Sequence, residues 1–307
     1  MVGFVFPGQG SQYPGMGKEL SQNFSAAREV FEEANDALGF DLARLCFDGP
    51  EEELRLTANT QPAILTTSVA AQRVVAAETG LQPNLAAGHS LGEYSALVCS
   101  GALKFPDAVK TVRLRGTFMQ EAVPAGSGAM AAVMGLDAAE LEDVCREAGS
   151  GEVVSPANFN SSDQVVIAGH AGAVERAINL AKSRGAKRAI LLPVSAPFHC
   201  DLMAPAGKRL KEVLENVPVL EMKFPVVSNV EAEPNQDPAR VRDLLVKQVC
   251  APVRWEESVM KMHALGIVKF FEIGPGKVLS GLIKRMIKDI ETYQVDDLKT
   301  LASLPAS

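Results

Sequence analysis

Leu85-Ala86-Ala87-Gly88-His89-Ser90-Leu91-Gly92-Glu93-Tyr94-Ser95-Ala96-Leu97-Val98-Cys99 decides the fold. An apolar run leads in, an apolar segment leads out, and between them a serine stands with a glycine on either side. That is the layout of a nucleophile elbow, in which a strand enters a turn too tight for side chains and leaves as a helix. The turn lifts the serine hydroxyl above the sheet edge. The five-residue pattern alone is weak, so its surroundings must decide.

Upstream, Val2 to Phe6 reads as a short strand running into the Gly- and Pro-rich loop Pro7 to Gly17. This loop is either a plain strand-to-helix connection or backbone that comes close to a ligand. It is not a dinucleotide fingerprint, because Tyr13 occupies the place of the third glycine. Helical spacing through Leu20, Phe24, Ala27, Phe31 and Ala34 predicts one helix, and a second is expected from Pro62 to Glu78 with its proline in the first turn. Alternating strands and helices predict an α/β core.

Downstream, Pro106 to Val123 reads as an amphipathic helix whose apolar arc contains Arg115. A guanidinium turned into a core is costly unless paired. It can snorkel, meet an internal carboxylate, or wait for the carboxylate of a substrate. From Gly128 to Val194 the pattern becomes strand, helix, strand, strand, helix, strand, with strands at 152–155, 164–168 and 188–194. That order is ferredoxin-like. The predicted architecture is therefore a larger α/β-hydrolase-like core with a mostly parallel sheet, residues 1–125 and 196–307, plus an inserted ferredoxin-like βαββαβ subdomain, residues 126–195. Within the insert, Ala157 to Asp163 is expected to be a polar loop. The chain then returns through Ser195 to Asp201 to a helix at 202–217, strands at 226–230 and 268–273, and helices at 238–249 and 255–265. Gly274-Pro275-Gly276-Lys277-Val278 opens a further helix but lacks the Ser or Thr of a phosphate loop.

Composition narrows the function. Among 307 residues, 47% are hydrophobic and 22% charged, and the net charge is −7, which argues against general nucleic-acid binding. No apolar run approaches the roughly 18 residues of a membrane span, and the N-terminus lacks a signal-peptide pattern, so a cytoplasmic protein without membrane attachment is expected. Five scattered cysteines read as reduced thiols. No His pair stands at metal-ligand spacing, so no metal site is expected.

A serine nucleophile needs an imidazole within reach. Of four histidines, His89 adjoins Ser90 and should face away, His170 starts a subdomain helix, and His263 lies on a helix among solvated neighbours. His199 sits in a loop at the return to the main domain and ranks first. Cys200 as a rival nucleophile lacks an elbow, and a buried small hydrophobe suits it better.

Together, Gly8-Gln9-Gly10-Ser11-Gln12, Gly88 to Glu93, Arg115, Asn158-Phe159-Asn160 inside the insert, Phe198-His199, Lys247-Gln248, Pro252 to Trp255 and Glu272 to Gly276 resemble the malonyl-CoA:acyl-carrier-protein transacylases of dissociated fatty acid synthesis, nearly end to end. The resemblance implies ping-pong acyl transfer through a malonyl-Ser90 ester, with His199 as general base and acid. It implies an oxyanion held by the N–H groups of Gln9 and Leu91, and a His199 ring oriented by the main-chain carbonyl of Gln248. Arg115 would pair with the malonyl carboxylate, and Asn160 and Phe198 would contact substrate, the Phe198 bulk disfavouring a methyl branch. Malonyl-CoA and the acyl carrier protein are the implied partners. CoA and the carrier's phosphopantetheine arrive as substrates, so no resident cofactor is expected. Basic clusters at Lys182, Arg184, Lys187 and Arg188, or at Lys284, Arg285 and Lys288, could receive an acidic carrier or be ordinary solvated faces. Two rivals stay open: a serine hydrolase using Asp143 or Asp163 as its third member, and a non-catalytic carrier-binding module.

Overall fold

The structure, a computed structural model, describes residues 1–194 and 196–305; Ser195, expected at the end of the insert, lies outside the described residues. Its strands are β1 (Val2–Phe6), β2 (Leu85–Gly88), β3 (Gly128–Met134), β4 (Val154–Ser161), β5 (Gln164–His170), β6 (Arg188–Leu191), β7 (Val226–Val227), β8 (Pro234–Asn235), β9 (Lys269–Ile273) and β10 (Glu291–Val295). They form two sheets. The larger has the order β10-β9-β1-β2-β7-β8, parallel throughout except for the β7–β8 pair. The smaller has the order β4-β5-β3-β6 and is antiparallel. The fold is thus mixed α/β.

Alternation along the central strands explains how the large sheet is covered. Phe4, Phe6 and Ala86 face one side, where the helix Thr57–Thr79 joins the main core. Val5, Leu85 and Ala87 face the other, against Trp255, Val259 and Met262 of the helix Trp255–Ala264. Both faces are buried, so the strands read as continuous apolar runs. The small sheet also has two apolar faces. Ala131, Val133 and Ile167 pack with helices Ala138–Gly149 and Ala171–Ser183 into a separate core, whereas Met130, Ala132, Val166 and Ala168 join the main one. The two units therefore meet through an apolar layer.

Several expected boundaries move for physical reasons. The first helix is two, Lys18–Asn23 and Ser25–Leu38, because Phe24 is extended (φ −126°, ψ 126°). The second begins at Thr57, with Pro62 inside it. Its added first turn packs so closely on Gly116 that a Cβ there would lie 2.6 Å from the Thr57 carbonyl oxygen, and this packing outweighs the usual placement of proline. Residues 157–161 are not a loop but the second half of β4. Pro156 and register shifts at Pro156/Asn158 and Phe159/Ser161 obscure the alternation that would have marked a strand. The expected strand at 226–230 stops at Val227, because Ser228 turns the chain with bonds to Glu233 and Ala232. The strand at 188–194 stops at Leu191, and the helix at 202–217 is Ala204–Leu214 after a short 3-10 turn. The turn at Gly274 to Lys277 does lead into a helix, Val278–Met286, whose Leu279 and Ser280 N–H groups donate to the buried Glu272 carboxylate.

Candidate active site

Ser90 stands where β2 meets the helix Leu91–Ser100. Its backbone has a positive φ, 52°, with ψ −104°, which costs a non-glycine residue on the order of 1–3 kcal/mol. The flanking glycines permit the turn. A Cβ on Gly88 would stand 1.9 Å from the Gly92 carbonyl carbon, and one on Gly92 would stand 2.1 Å from the Phe6 carbonyl oxygen. The elbow is also tied down by Asn229, which accepts from the Ser90 N–H at 2.7 Å and donates its side-chain amide to the Gly88 carbonyl at 2.7 Å.

His199 is buried and 2.7 Å from Ser90 Oγ through Nε2. Its Nδ1 is 2.8 Å from the Gln248 main-chain carbonyl. A carbonyl can only accept, so Nδ1 carries the proton and Nε2 is free to accept from the serine hydroxyl. Burial, aided by the Arg115 charge, pushes the His199 pKa down to about 3, so the ring is neutral at ordinary pH. His199 too has a positive φ, 60°. The alternative third members are elsewhere: Asp143 pairs with Arg146, and Asp163 accepts from Ser161 Oγ. Cys200 is buried, its thiol donating to the Pro197 carbonyl and pushed up to about 11 by burial, which makes it a poor nucleophile.

Arg115, from the helix Phe105–Glu121, is 1% exposed. It neither snorkels nor meets a carboxylate. Nη1 donates to Gln61 Oε1 at 2.7 Å, and Nη2 donates to Gln248 Oε1 at 2.9 Å and Ser90 Oγ at 3.1 Å. Its Nε has no partner among the described residues. A cation held only by neutral groups in a buried pocket makes that pocket a site for an anion.

Ser90, His199, Arg115 and Gln61 line one pocket with Gln9, Leu91, Met119, Met130, Asn158, Leu192, Val194 and Phe198. The Gln9 and Leu91 N–H groups take no hydrogen-bond partner among the described residues. The pocket lies between the two units, and a longer groove lined by Gly8 to Gln12, Asn158, Asn160, Leu192 to Val194 and Leu282 adjoins it. The residues nominated from sequence therefore converge, with one displacement. Asn160 lines the groove and not the inner pocket, its Oδ1 2.9 Å from His89 Nε2, while Asn158 lines both. His89 faces the same pocket from its own side, its ring held between Asn160 and Trp255. His170 occupies the N-cap position of the helix Ala171–Ser183, its Nδ1 accepting from the Val153 N–H and not capping the helix.

Sequence reasoning did not find Asn229, Gln61, or the side-chain roles of Glu93 and Gln248. Gln248 Nε2 donates to the Ser90 carbonyl at 3.0 Å and to Glu93 Oε2 at 2.7 Å, and the Asn229 N–H donates to the same Glu93 oxygen at 3.0 Å. Asn229 had no local signal, since nothing in the pattern distinguishes a turn asparagine that reaches 139 residues back. Glu93 carried one: it is the lone charged residue in the helix Leu91–Ser100.

A serine hydroxyl bonded to a neutral imidazole, beside a buried cation, can attack an electrophilic carbonyl whose substituent carries negative charge. No group of three or more His, Cys, Asp or Glu among the described residues could hold a metal ion, and no helix among them is long and apolar enough to cross a membrane. The acyl transferase domain family matches residues 3–306. A malonyl CoA-acyl carrier protein transacylase of Bacillus subtilis is 52% identical over 301 residues, 98% of this chain and 95% of that protein. An acyl carrier protein S-malonyltransferase from Vibrio cholerae superposes with a TM-score of 0.96 at 50% identity, covering 99% of each chain. A malonyl-transacylase solved in complex with its type II polyketide acyl carrier protein superposes with a TM-score of 0.96 at 49% identity, covering 98% of each.

Proposed function

This chain belongs to the acyl transferase domain family, and from that membership we propose that Ser90 carries an acyl group between two thiols. The enzyme transfers the malonyl group of malonyl-CoA to acyl carrier protein for fatty acid synthesis. In the first half-reaction the Ser90 oxygen attacks the thioester carbonyl as its proton passes to His199 Nε2. The oxyanion takes hydrogen bonds from the Gln9 and Leu91 N–H groups. Collapse breaks the C–S bond, and the proton on His199 goes to the departing CoA sulfur. In the second, His199 takes the proton of the carrier's phosphopantetheine thiol, which attacks the malonyl ester, and the proton returns to Ser90 as it leaves.

Arg115 binds the free malonyl carboxylate, while Phe198 and Asn158 wall the pocket and Asn160 borders the groove for the pantetheine arm. The chemistry needs no resident cofactor, since CoA and phosphopantetheine are substrates. The smaller unit is a ferredoxin-like insert at 126–195 in an α/β-hydrolase-like core. Its β6-β3-β5-β4 order supports that assignment. A cytoplasmic location belongs to the same proposal, supported by five free, scattered cysteines.

The observation that carries the mechanism is Ser90 Oγ, 2.7 Å from His199 Nε2 and 3.1 Å from Arg115 Nη2. Incubation with malonyl-CoA followed by intact-mass measurement should show one malonyl adduct on the native chain and none on Ser90→Ala. An unmodified native chain, or an adduct that persists in Ser90→Ala, refutes the mechanism.

A further inference from the structure

Glu93 is fully buried, yet its hydrogen-bond partners are neutral: the Asn229 N–H and the Gln248 side-chain amide. The cation that acts on it, Arg115, lies on the far side of that same amide. Arg115 Nη2 donates to Gln248 Oε1 at 2.9 Å, and Gln248 Nε2 donates to Glu93 Oε2 at 2.7 Å. A primary amide thus lies between a cation at its oxygen end and a carboxylate at its nitrogen end, with its dipole aligned to both charges. Everything else facing Glu93 is uncharged at neutral pH. From its own helix come Leu97 and the Tyr94 hydroxyl, whose proton burial holds firmly. From the helix Pro238–Cys250 come Val241, Leu244 and Gln248, and from the β7–β8 segment Val226, Ser228, Asn229 and Asn235.

We propose that Glu93 is the internal counter-charge of Arg115, coupled through the Gln248 amide, so that a malonyl carboxylate competes with Glu93 for one cation and its binding drives a proton onto Glu93. Arg115 rests on the assignment made above as the malonyl partner. Burial raises the Glu93 pKa from 4.5 to about 7, against the opposing pull of Asn229, Gln248 and Arg115. Near neutrality the free enzyme is therefore a mixture of charged and neutral Glu93. A second carboxylate on Arg115 weakens the stabilisation of the charged form, so the pKa rises further and a proton enters from solvent. By linkage, malonyl affinity is greatest below the free-enzyme pKa, where Glu93 is already neutral, and declines as pH rises through it. Glu93 thereby limits how tightly a loaded malonyl group is held, which favours its onward transfer.

The test uses the full chain with Ser90→Ala, which blocks acyl transfer and leaves binding. Calorimetry with malonyl-CoA, and with CoA as the ligand lacking the carboxylate, is run in two buffers of different ionisation enthalpy. A shift of about one pKa unit gives an uptake of about half a proton at pH about 7.5 for malonyl-CoA beyond that for CoA. It also gives a Kd that weakens up to about tenfold between about pH 6 and about pH 8.5. Adding Glu93→Gln keeps an acceptor for both donors; the excess proton uptake disappears, and malonyl-CoA binds more tightly than in the parent at the upper pH. Malonyl-CoA binding tighter than CoA without excess uptake, or uptake that survives Glu93→Gln, overturns the counter-charge alone. Malonyl-CoA binding no tighter than CoA overturns the Arg115 assignment and the inference with it. The uptake measurement on the Ser90→Ala chain decides the matter even if Glu93→Gln fails to fold.

Discussion

Arg115 shows what one side chain can decide. Its guanidinium is buried among amides and a hydroxyl, an arrangement that is poor for stability and good for capturing a carboxylate. Arg115→Ala is expected to cost about 2–5 kcal/mol in malonyl transfer, a factor of about 30 to several thousand in kcat/KM, while transfer of a neutral acyl group is far less affected. Steady-state comparison of malonyl- and acetyl-CoA measures the change in selectivity. His199 makes a second residue-scale prediction. Because burial and the Arg115 charge depress its pKa, the neutral base persists as pH falls through the ordinary imidazole value of 6.5. The rate of Ser90 malonylation should therefore show no protonation loss near that pH; a decline centred there would mean that the ring is solvated in the working enzyme. Ser90, His199 and the anomalous Arg115 were legible in the chain because each breaks a local rule: a serine between glycines, a histidine in a returning loop, a cation in an apolar arc. Asn229 breaks none, and its role exists only because the turn after β7 comes against the elbow.

Among the elements, the elbow helix is seated by the absence of side chains. Gly92 lies so close to the Phe6 carbonyl that a methyl group must displace β1 or the helix, and the obstacle is backbone that cannot rotate away. Gly92→Ala is expected to lower stability by at least about 3 kcal/mol, beyond the usual range for an overpacked core, and chemical denaturation would register it as a lower midpoint. An unchanged midpoint would mean that the helix Leu91–Ser100 can move off β1 without cost. The glycines here could be read directly from the sequence. The course of β4 could not, because its bulges let polar residues that face the cleft interrupt the period of two, and the start of the helix Thr57–Thr79 was set by its packing on Gly116 and not by its proline.

For the molecule as a whole, the order of strands and helices foretold a mostly parallel sheet and a second, separate sheet, but it did not foretell how completely the two share a core. Met130, Ala132, Val166 and Ala168 of the smaller sheet are buried in the main cluster, so the smaller unit cannot separate without exposing an apolar face. Calorimetric unfolding should accordingly give one cooperative transition, and two resolved transitions would contradict the shared layer. That rigidity also supports Ser90 and His199, two of the five non-glycine residues with positive φ among the described residues, which the surrounding structure holds in conformations that only glycine adopts freely. Heat resistance and turnover consequently make opposite demands on the same two positions. A library screened for folding alone would be rewarded for glycine at 90 and at 199, and its hardiest survivors would be inert; robustness can be improved safely only at positions that leave this tension in place.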